Sequence, residues 1–301
     1  MAIRKTVICP AYNEALNIPP LLAELRKTLD DTYEIIIVDD GSEDGTYDLA
    51  KKEAENYPNV RVFRHPRNQG KTEAIITGMR ESTGEIIIIY DADLQFAAED
   101  IKRLVAKVEE GYDMCVGRKV GRYEKKFVSL IYNFLARKLF SLPVHDINAI
   151  KAFKREVGER LRLRKDWHRY IVPLSWAEGA KITEIPVKLY PRRAGKPKYQ
   201  SKKRIIIGFL DLIAVAFQLS FRKKPLLAFG TLGLLSFFLG FLLGVVSIIL
   251  RILGHGFRPL LYLVILLILS GILLFSLGLL GESFSAILER LEEIERRIDR
   301  L

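Results

Sequence analysis

The sequence predicts an α/β protein built on a mostly parallel sheet and continued by a helical, membrane-associated tail. In the first part of the chain, short apolar runs at residues 6–9, 34–38, 60–63, 85–90 and 114–116 alternate with helix-like stretches such as 18–29 and 71–80, a βαβ rhythm. Ile35-Ile36-Ile37-Val38 and Ile86-Ile87-Ile88-Ile89 are apolar at every position rather than at alternate ones, which marks strands covered on both faces, as in a parallel sheet. Near the other end, no charged residue occurs at positions 225–250 or 259–281. Each of these runs exceeds the ~20 residues a helix needs to cross a bilayer.

Parallel sheets bind ligands beyond the carboxyl ends of their strands, so the polar residues directly after each apolar run are the informative ones. These are Pro10 to Glu14 after the first, Asp39 to Gly45 after the second and Asp91 to Gln95 after the fourth. All three clusters fall on one edge. Residues 117–199 are less regular, with a helix-like stretch at 127–140 and a strand at 181–190. Cys9 and Cys115 sit inside apolar runs and read as buried thiols of a reducing compartment. The first residues form a short strand-like run without the long apolar segment of a signal peptide, so the large domain is expected in the cytosol.

The net charge of +11 suits either nucleic acid or an anionic membrane surface, and location decides between them. Seven of the fourteen residues at 191–204 are Arg or Lys and none is acidic. This cluster adjoins the apolar tail and carries only Tyr199 rather than an interleaved aromatic platform, which argues against nucleic acid as the partner. Residues 205–221 are mostly apolar, but Arg204, Asp211, Gln218 and Arg222 form one polar stripe. The segment 201–224 is therefore expected to lie in the membrane interface. The run at 225–281 is then a two-helix transmembrane hairpin, leaving both termini cytosolic. Beyond it, Ile287, Leu291, Ile294, Ile298 and Leu301 recur at four-three-four-three spacing, so 282–301 reads as a short amphipathic or coiled-coil helix that favours a homo-oligomer.

Asp91-Ala92-Asp93-Leu94-Gln95 places two carboxylates and an amide oxygen directly after a strand. Hard oxygen ligands at alternate positions suit Mg²⁺ or Mn²⁺, which in turn neutralise a diphosphate. Alone, the pattern is more often an ordinary acidic loop.

Four motifs in order change that balance: Pro10-Ala11-Tyr12-Asn13-Glu14, Val38-Asp39-Asp40-Gly41-Ser42, Asn68-Gln69-Gly70-Lys71 and Asp91-Ala92-Asp93-Leu94-Gln95. Together they resemble the family 2 glycosyltransferases of the GT-A fold, a Rossmann-like architecture. Within that family the chain is most similar to the polyprenyl-phosphate sugar synthases, a group that includes dolichyl-phosphate mannose synthase. Residues 192–199 resemble the group's Arg-x-x-Gly-x-Ser-Lys element, with Pro197 in place of Ser, and Lys151 stands where many relatives carry Arg.

The resemblance implies a cytosolic GT-A domain over residues 1–200 that transfers one hexose from a nucleotide diphosphate sugar to a polyprenyl phosphate, dolichyl or undecaprenyl, with inversion at the anomeric carbon. It puts Pro10, Tyr12, Glu14 and Asp40 around the nucleoside, with Lys71 beside them, and Asp91, Asp93 and Gln95 at Mg²⁺ or Mn²⁺ and the diphosphate. Arg118, Arg192 and Lys198 are expected to meet phosphates, and the position of Arg192 and Lys198 before the interfacial segment favours the acceptor phosphate. Asp146 is expected to orient the acceptor or a basic side chain. A polysaccharide synthase of the same family is the rival, but Trp167-His168-Arg169-Tyr170 does not supply its Gln-x-x-Arg-Trp motif. A non-catalytic membrane scaffold is disfavoured by the intact metal and nucleotide motifs.

Overall fold

The computed structural model describes residues 5–121, 126–193, 208, 210–217, 225–255 and 258–298. They divide into two compact units, residues 1–209 and 210–301.

In the first unit, β1 (Lys5–Ala11), β2 (Tyr33–Asp39), β3 (Val60–Arg64), β4 (Ile86–Ile89), β5 (Met114–Val120), β6 (Lys151–Lys154) and β7 (Ile182–Lys188) form one sheet in the order β3-β2-β1-β4-β6-β5-β7. The pairs β1–β2, β2–β3, β1–β4 and β5–β7 are parallel. β6 is the exception, running antiparallel between β4 and β5. Between the strands lie α1 (Ile18–Thr28), α2 (Thr46–Ala54), α3 (Lys71–Glu81), α4 (Glu99–Glu109), α5 (Lys126–Phe140), α6 (Arg155–Arg160) and α7 (Ile171–Ala177).

The all-apolar strands are buried on both faces, as their composition requires. Ile35 and Ile37 enter the main core, with Leu21, Leu22 and Leu25 of α1 and Ile101, Leu104, Val105 and Val108 of α4. Ile36 and Val38 point the other way, toward Ala74 of α3. The apolar positions of α4 recur at i, i+3, i+4, i+7, one stripe of a helix. Burying each such side chain contributes ~1.5–3 kcal/mol, so the register of β2 is fixed from two sides.

The second unit contains α8 (residues 210–217), a π-turn at Leu226–Gly230 leading into α9 (Thr231–Ile252), and α10 (Arg258–Ile298). Of the expected interfacial segment only α8 is described: Leu212 and Val215 are buried, and Leu210, Ile213 and Phe217 exposed. α9 and α10 form a hairpin held by very close approach. A Cβ added at Gly233 would lie 2.8 Å from Gly271 O, and one added at Gly271 would lie 2.8 Å from Gly233 O. Only glycine permits such backbone proximity, and Ser236 Oγ donates to Leu267 O at 2.9 Å beside it. The segments Leu226–Ile252 and Arg258–Leu291 are long and apolar enough to cross a membrane. Their outer faces expose large side chains such as Phe238 and Leu266, at 62% and 61%, unlike the core helices of a soluble protein. The expected short C-terminal helix is the unbroken continuation of α10, because no glycine or proline after Gly281 interrupts it.

Gly78 of α3 faces Ile8 of β1 so closely that an added Cβ would sit 2.3 Å from Ile8 Cγ2. Gly78→Ala is expected to cost ~1–3 kcal/mol by overpacking and to lower the melting temperature of the full-length protein by several degrees. An unchanged melting temperature would show that α3 can move off the sheet without loss.

Candidate active site

The parallel register of β1, β2 and β4 brings their carboxyl ends to one edge, and hydrogen bonds join the loops that follow β1 and β2. Asn13 N donates to Ser42 Oγ at 2.8 Å, Glu43 N to Asn13 Oδ1 at 2.9 Å, and Glu14 N to Thr46 Oγ1 at 2.8 Å. Pro10 lies opposite Val38 near the end of β1, and Tyr12 follows Ala11, half-buried. Gly41 is required by its backbone: φ is +70°, and a Cβ there would lie 2.5 Å from the Arg67 carbonyl carbon.

Asp40 is 3% exposed and has a precise local task. It accepts from Gln69 N at 2.9 Å and Gly70 N at 2.8 Å, and His65 Nδ1 lies 2.8 Å from its Oδ1. Asp40, expected at the nucleoside, anchors the turn from which α3 begins. That turn positions Lys71, whose Nζ reaches Asp91 Oδ1 at 2.5 Å.

Asp91 and Asp93 follow β4, separated from Gln95 by Leu94 in a left-handed conformation, φ +56°. Such a backbone is strained for a non-glycine residue, and burial of the Leu94 side chain, 5% exposed, helps to hold it. Arg192 divides its guanidinium fork, Nη1 donating to Glu14 Oε1 and Nη2 to Asp93 Oδ2, each at 2.9 Å. Gln95 secures the segment that delivers Arg192: its Nε2 donates to Tyr190 O at 3.2 Å, and Tyr190 N donates to Gln95 O at 2.8 Å.

The electrostatics follow from crowding. Burial and the neighbouring Asp91 push the Asp93 carboxyl up to about 6, with Arg192 and Lys71 opposing. Asp91 goes the other way. Burial alone would raise it, but Lys71, Lys151 and Arg192 hold it below the usual carboxylate range. Its side chain lies deep in the cleft yet keeps 37% exposure through the opening.

The same donor set fits a divalent cation. Mg²⁺ is typically held by one or two carboxylates plus substrate phosphates rather than by an all-protein cage. Two mutually repelling carboxylates are the protein's share of such a site. No group of three or more His, Cys, Asp or Glu suited to a metal occurs among the described residues, which accords with a substrate-completed site.

Beyond Asp91 opens a cavity of about 250 Å³ whose lining includes Lys71, Asn148, Lys151, His168 and Arg169. Lys151 enters it from β6 and is 5% exposed. Burial, together with Lys71, lowers its ammonium to about 8, against the pull of Asp91 and Asp146. Asp146 accepts from Asn148 N at 3.0 Å and lies 3.4 Å from Lys119 Nζ. The His168 ring is clamped by Thr72, Nδ1 to Oγ1 at 3.0 Å.

The cations are not all where the sequence put them. Arg118 lies 3.5 Å from Glu184, whereas its neighbour Lys119, on the alternate face of β5, reaches Asp146. Arg192 stands with Glu14 and Asp93 instead of apart from them, and Lys198 lies outside the described residues. His168 and Arg169 were missed as site residues, since no spacing in Trp167-His168-Arg169-Tyr170 distinguishes them from a loop preceding an apolar helix.

An open α/β sheet with a paired-carboxylate cleft at the carboxyl ends of its parallel strands is the architecture of a Rossmann-like transferase. The model of "Glycosyl transferase family 2" matches residues 6–157, and the chain belongs to that family. It is 29% identical to dodecaprenyl-phosphate galacturonate synthase of Rhizobium johnstonii, over 93% of this chain and 87% of the relative. It is 32% identical to undecaprenyl-phosphate 4-deoxy-4-formamido-L-arabinose transferase of Serratia proteamaculans, over 92% and 87%. Among solved structures it is similar to glucosyl-3-phosphoglycerate synthase from Mycobacterium tuberculosis, in complex with Mn²⁺, uridine-diphosphate-glucose and phosphoglyceric acid. That likeness has a TM-score of 0.56 at 18% identity and covers 72% of this chain and 79% of the other, which establishes the GT-A fold.

In metal-free protein the raised Asp93 value has a definite sign. The folded state binds this proton more tightly than the unfolded state, so the charge costs nothing below about pH 4 and destabilises increasingly as pH rises through about 6. Asp93→Asn is expected to be more stable than the parent at pH 7.5 in EDTA, by on the order of 1–3 kcal/mol, with the difference vanishing near pH 4. Denaturant titrations at the two pH values check this, and a constant difference would contradict it.

Proposed function

We propose that this glycosyltransferase transfers a single glycosyl group from a nucleotide diphosphate sugar to a polyprenyl phosphate at the cytosolic membrane face, inverting the anomeric carbon. The observation that carries this reading is the Asp91–Asp93 pair, set between the nucleotide-side loops and a separate cation-lined cavity. The activities of the two bacterial relatives support a lipid-phosphate acceptor. The Mn²⁺ and uridine-diphosphate-glucose of the structural neighbour support a metal and a nucleotide-sugar donor.

In this mechanism the loops of Pro10, Tyr12 and Glu14 hold the nucleoside, and Arg192 and Lys71 meet the diphosphate. Asp91 and Asp93 would hold Mg²⁺ or Mn²⁺, which supplies positive charge to the leaving diphosphate. An acceptor phosphate oxygen attacks the anomeric carbon. The bond from that carbon to the diphosphate oxygen breaks, and its electron pair leaves with the nucleoside diphosphate. A phosphate monoester already carries much negative charge at neutral pH, given a second pKa of ~6, so no strong general base is required. Asp146 acts by positioning Lys119 and the Asn148 turn.

The tail fits a membrane-resident acceptor: the hairpin of α9 and α10 would cross the bilayer, α8 would lie in its interface, and the charged end of α10 would return to the cytosol and support a homo-oligomer. The reading is tested by incubating full-length protein with labelled nucleotide-sugars and short polyprenyl phosphates. Transfer is expected to require Mg²⁺ or Mn²⁺ and to stop on chelation, and turnover undiminished in excess EDTA would overturn the metal assignment. Because Arg192 bridges Glu14 and Asp93, Arg192→Ala is expected to weaken donor binding at least ~tenfold, the scale of one lost charge-assisted contact. Calorimetric donor titration measures it.

A further inference from the structure

We propose that the cavity beyond Asp91 is the seat of the acceptor's phosphate monoester, with Lys151 and Arg169 as its two anion-binding groups. The inference rests on the transfer reading above and assigns a distinct place to one of its substrates.

Lys151 is the first ground. It lines the cavity, only 5% exposed, yet among the described residues its ammonium makes no hydrogen bond and no ion pair. Asp91 and Asp146 attract it only from beyond ion-pair distance, and removing a charge from water is offset fully only by an opposite charge close at hand. A ligand anion in the cavity supplies one.

Charge count gives the second. Lys71 is paired with Asp91 at 2.5 Å, and Lys119 with Asp146 at 3.4 Å. Among the described residues Lys151 and Arg169 form no ion pair, so the cavity's cations exceed its paired carboxylates by two. Two positive charges match a phosphate monoester, which carries about −1.5 to −2 at neutral pH, better than the single charge of a carboxylate.

Position gives the third. The groups on the nucleotide side, Glu14, Asp93 and Arg192, do not line this cavity, whereas Asp91 does. The two sites therefore adjoin at Asp91, as transfer between them requires. Ile75, Phe96 and Ile150 add apolar wall, which suits the carbon chain attached to the phosphate. The volume of about 250 Å³ leaves room for it.

The test uses full-length protein, farnesyl phosphate as a short polyprenyl phosphate, farnesol as the uncharged control and inorganic phosphate as the free anion. Lys151→Met keeps the apolar stem and removes the charge, and Arg169→Gln provides a second variant should the first fail to fold. Calorimetry without donor is expected to show farnesyl phosphate binding that weakens roughly tenfold or more in each variant. Farnesol should bind far more weakly, and inorganic phosphate should compete in the parent but not in Lys151→Met. In turnover assays the acceptor KM should rise by a similar factor while the donor KM stays within about twofold. A rise in donor KM with acceptor binding intact would assign the cavity to the donor sugar and overturn the proposal. So would equal farnesyl phosphate affinity in parent and variants. Lys151-dependent binding of farnesyl phosphate without transfer from any nucleotide-sugar would uphold this site and sink the transfer reading instead.

Discussion

Two carboxylates placed two residues apart at the end of a buried strand repel each other, and much of the first unit serves to hold them there. Each receives a cation from a distant part of the chain: Lys71 from the start of α3, and Arg192 from the segment after β7. Both cations are themselves secured. Asp40 fixes the turn before Lys71 through the Gln69 and Gly70 amides, and the Gln95–Tyr190 bonds fix the segment before Arg192. Removing any of these supports would leave a buried carboxylate without its counter-charge, the most expensive electrostatic error a core can make.

This arrangement is poised for exchange. Lys71 and Arg192 neutralise the carboxylates in the ligand-free protein and also bear the charge complementary to a diphosphate. On the proposed function, Asp91 and Asp93 would hold the cation and Lys71 and Arg192 would meet the phosphate oxygens, so net charge in the cleft would change little. A site that stays near neutrality in both states avoids the desolvation cost that a bare acidic pocket would incur.

The parallel half of this design was legible in the sequence because its signals are local. Four-residue apolar runs, each followed at once by Pro10–Glu14, Asp39–Gly45 or Asp91–Gln95, name both the strand and its ligand end. β6 was not legible. Its four residues, Lys151-Ala152-Phe153-Lys154, begin and end with lysine, so neither alternation nor continuous apolarity marks them as a central strand. Their burial comes from being inserted antiparallel between β4 and β5, a tertiary fact. The same cause hid Lys119 and His168 as members of the site. The Thr72–His168 contact spans 96 residues of sequence and the Arg192–Asp93 contact 99, and no spacing rule reaches that far.

The tail was legible for the opposite reason: its chemistry is uniform over long stretches, so composition alone sets its length. A helix rises ~1.5 Å per residue, which makes the apolar part of α10, residues 258–281, about 36 Å long. That exceeds the ~30 Å hydrocarbon core by an amount a modest tilt absorbs. From Glu282 onward charged residues recur at nearly every turn, where burial in hydrocarbon would be prohibitive, yet the backbone continues helically without a breaking residue. The boundary between the apolar and the charged portions of α10 is thus set by side-chain charge alone. A rigid helix that crosses this boundary holds Ile287, Leu291 and Ile294, each about half exposed, along a fixed line beyond the apolar run, where they can meet the same residues of a second copy.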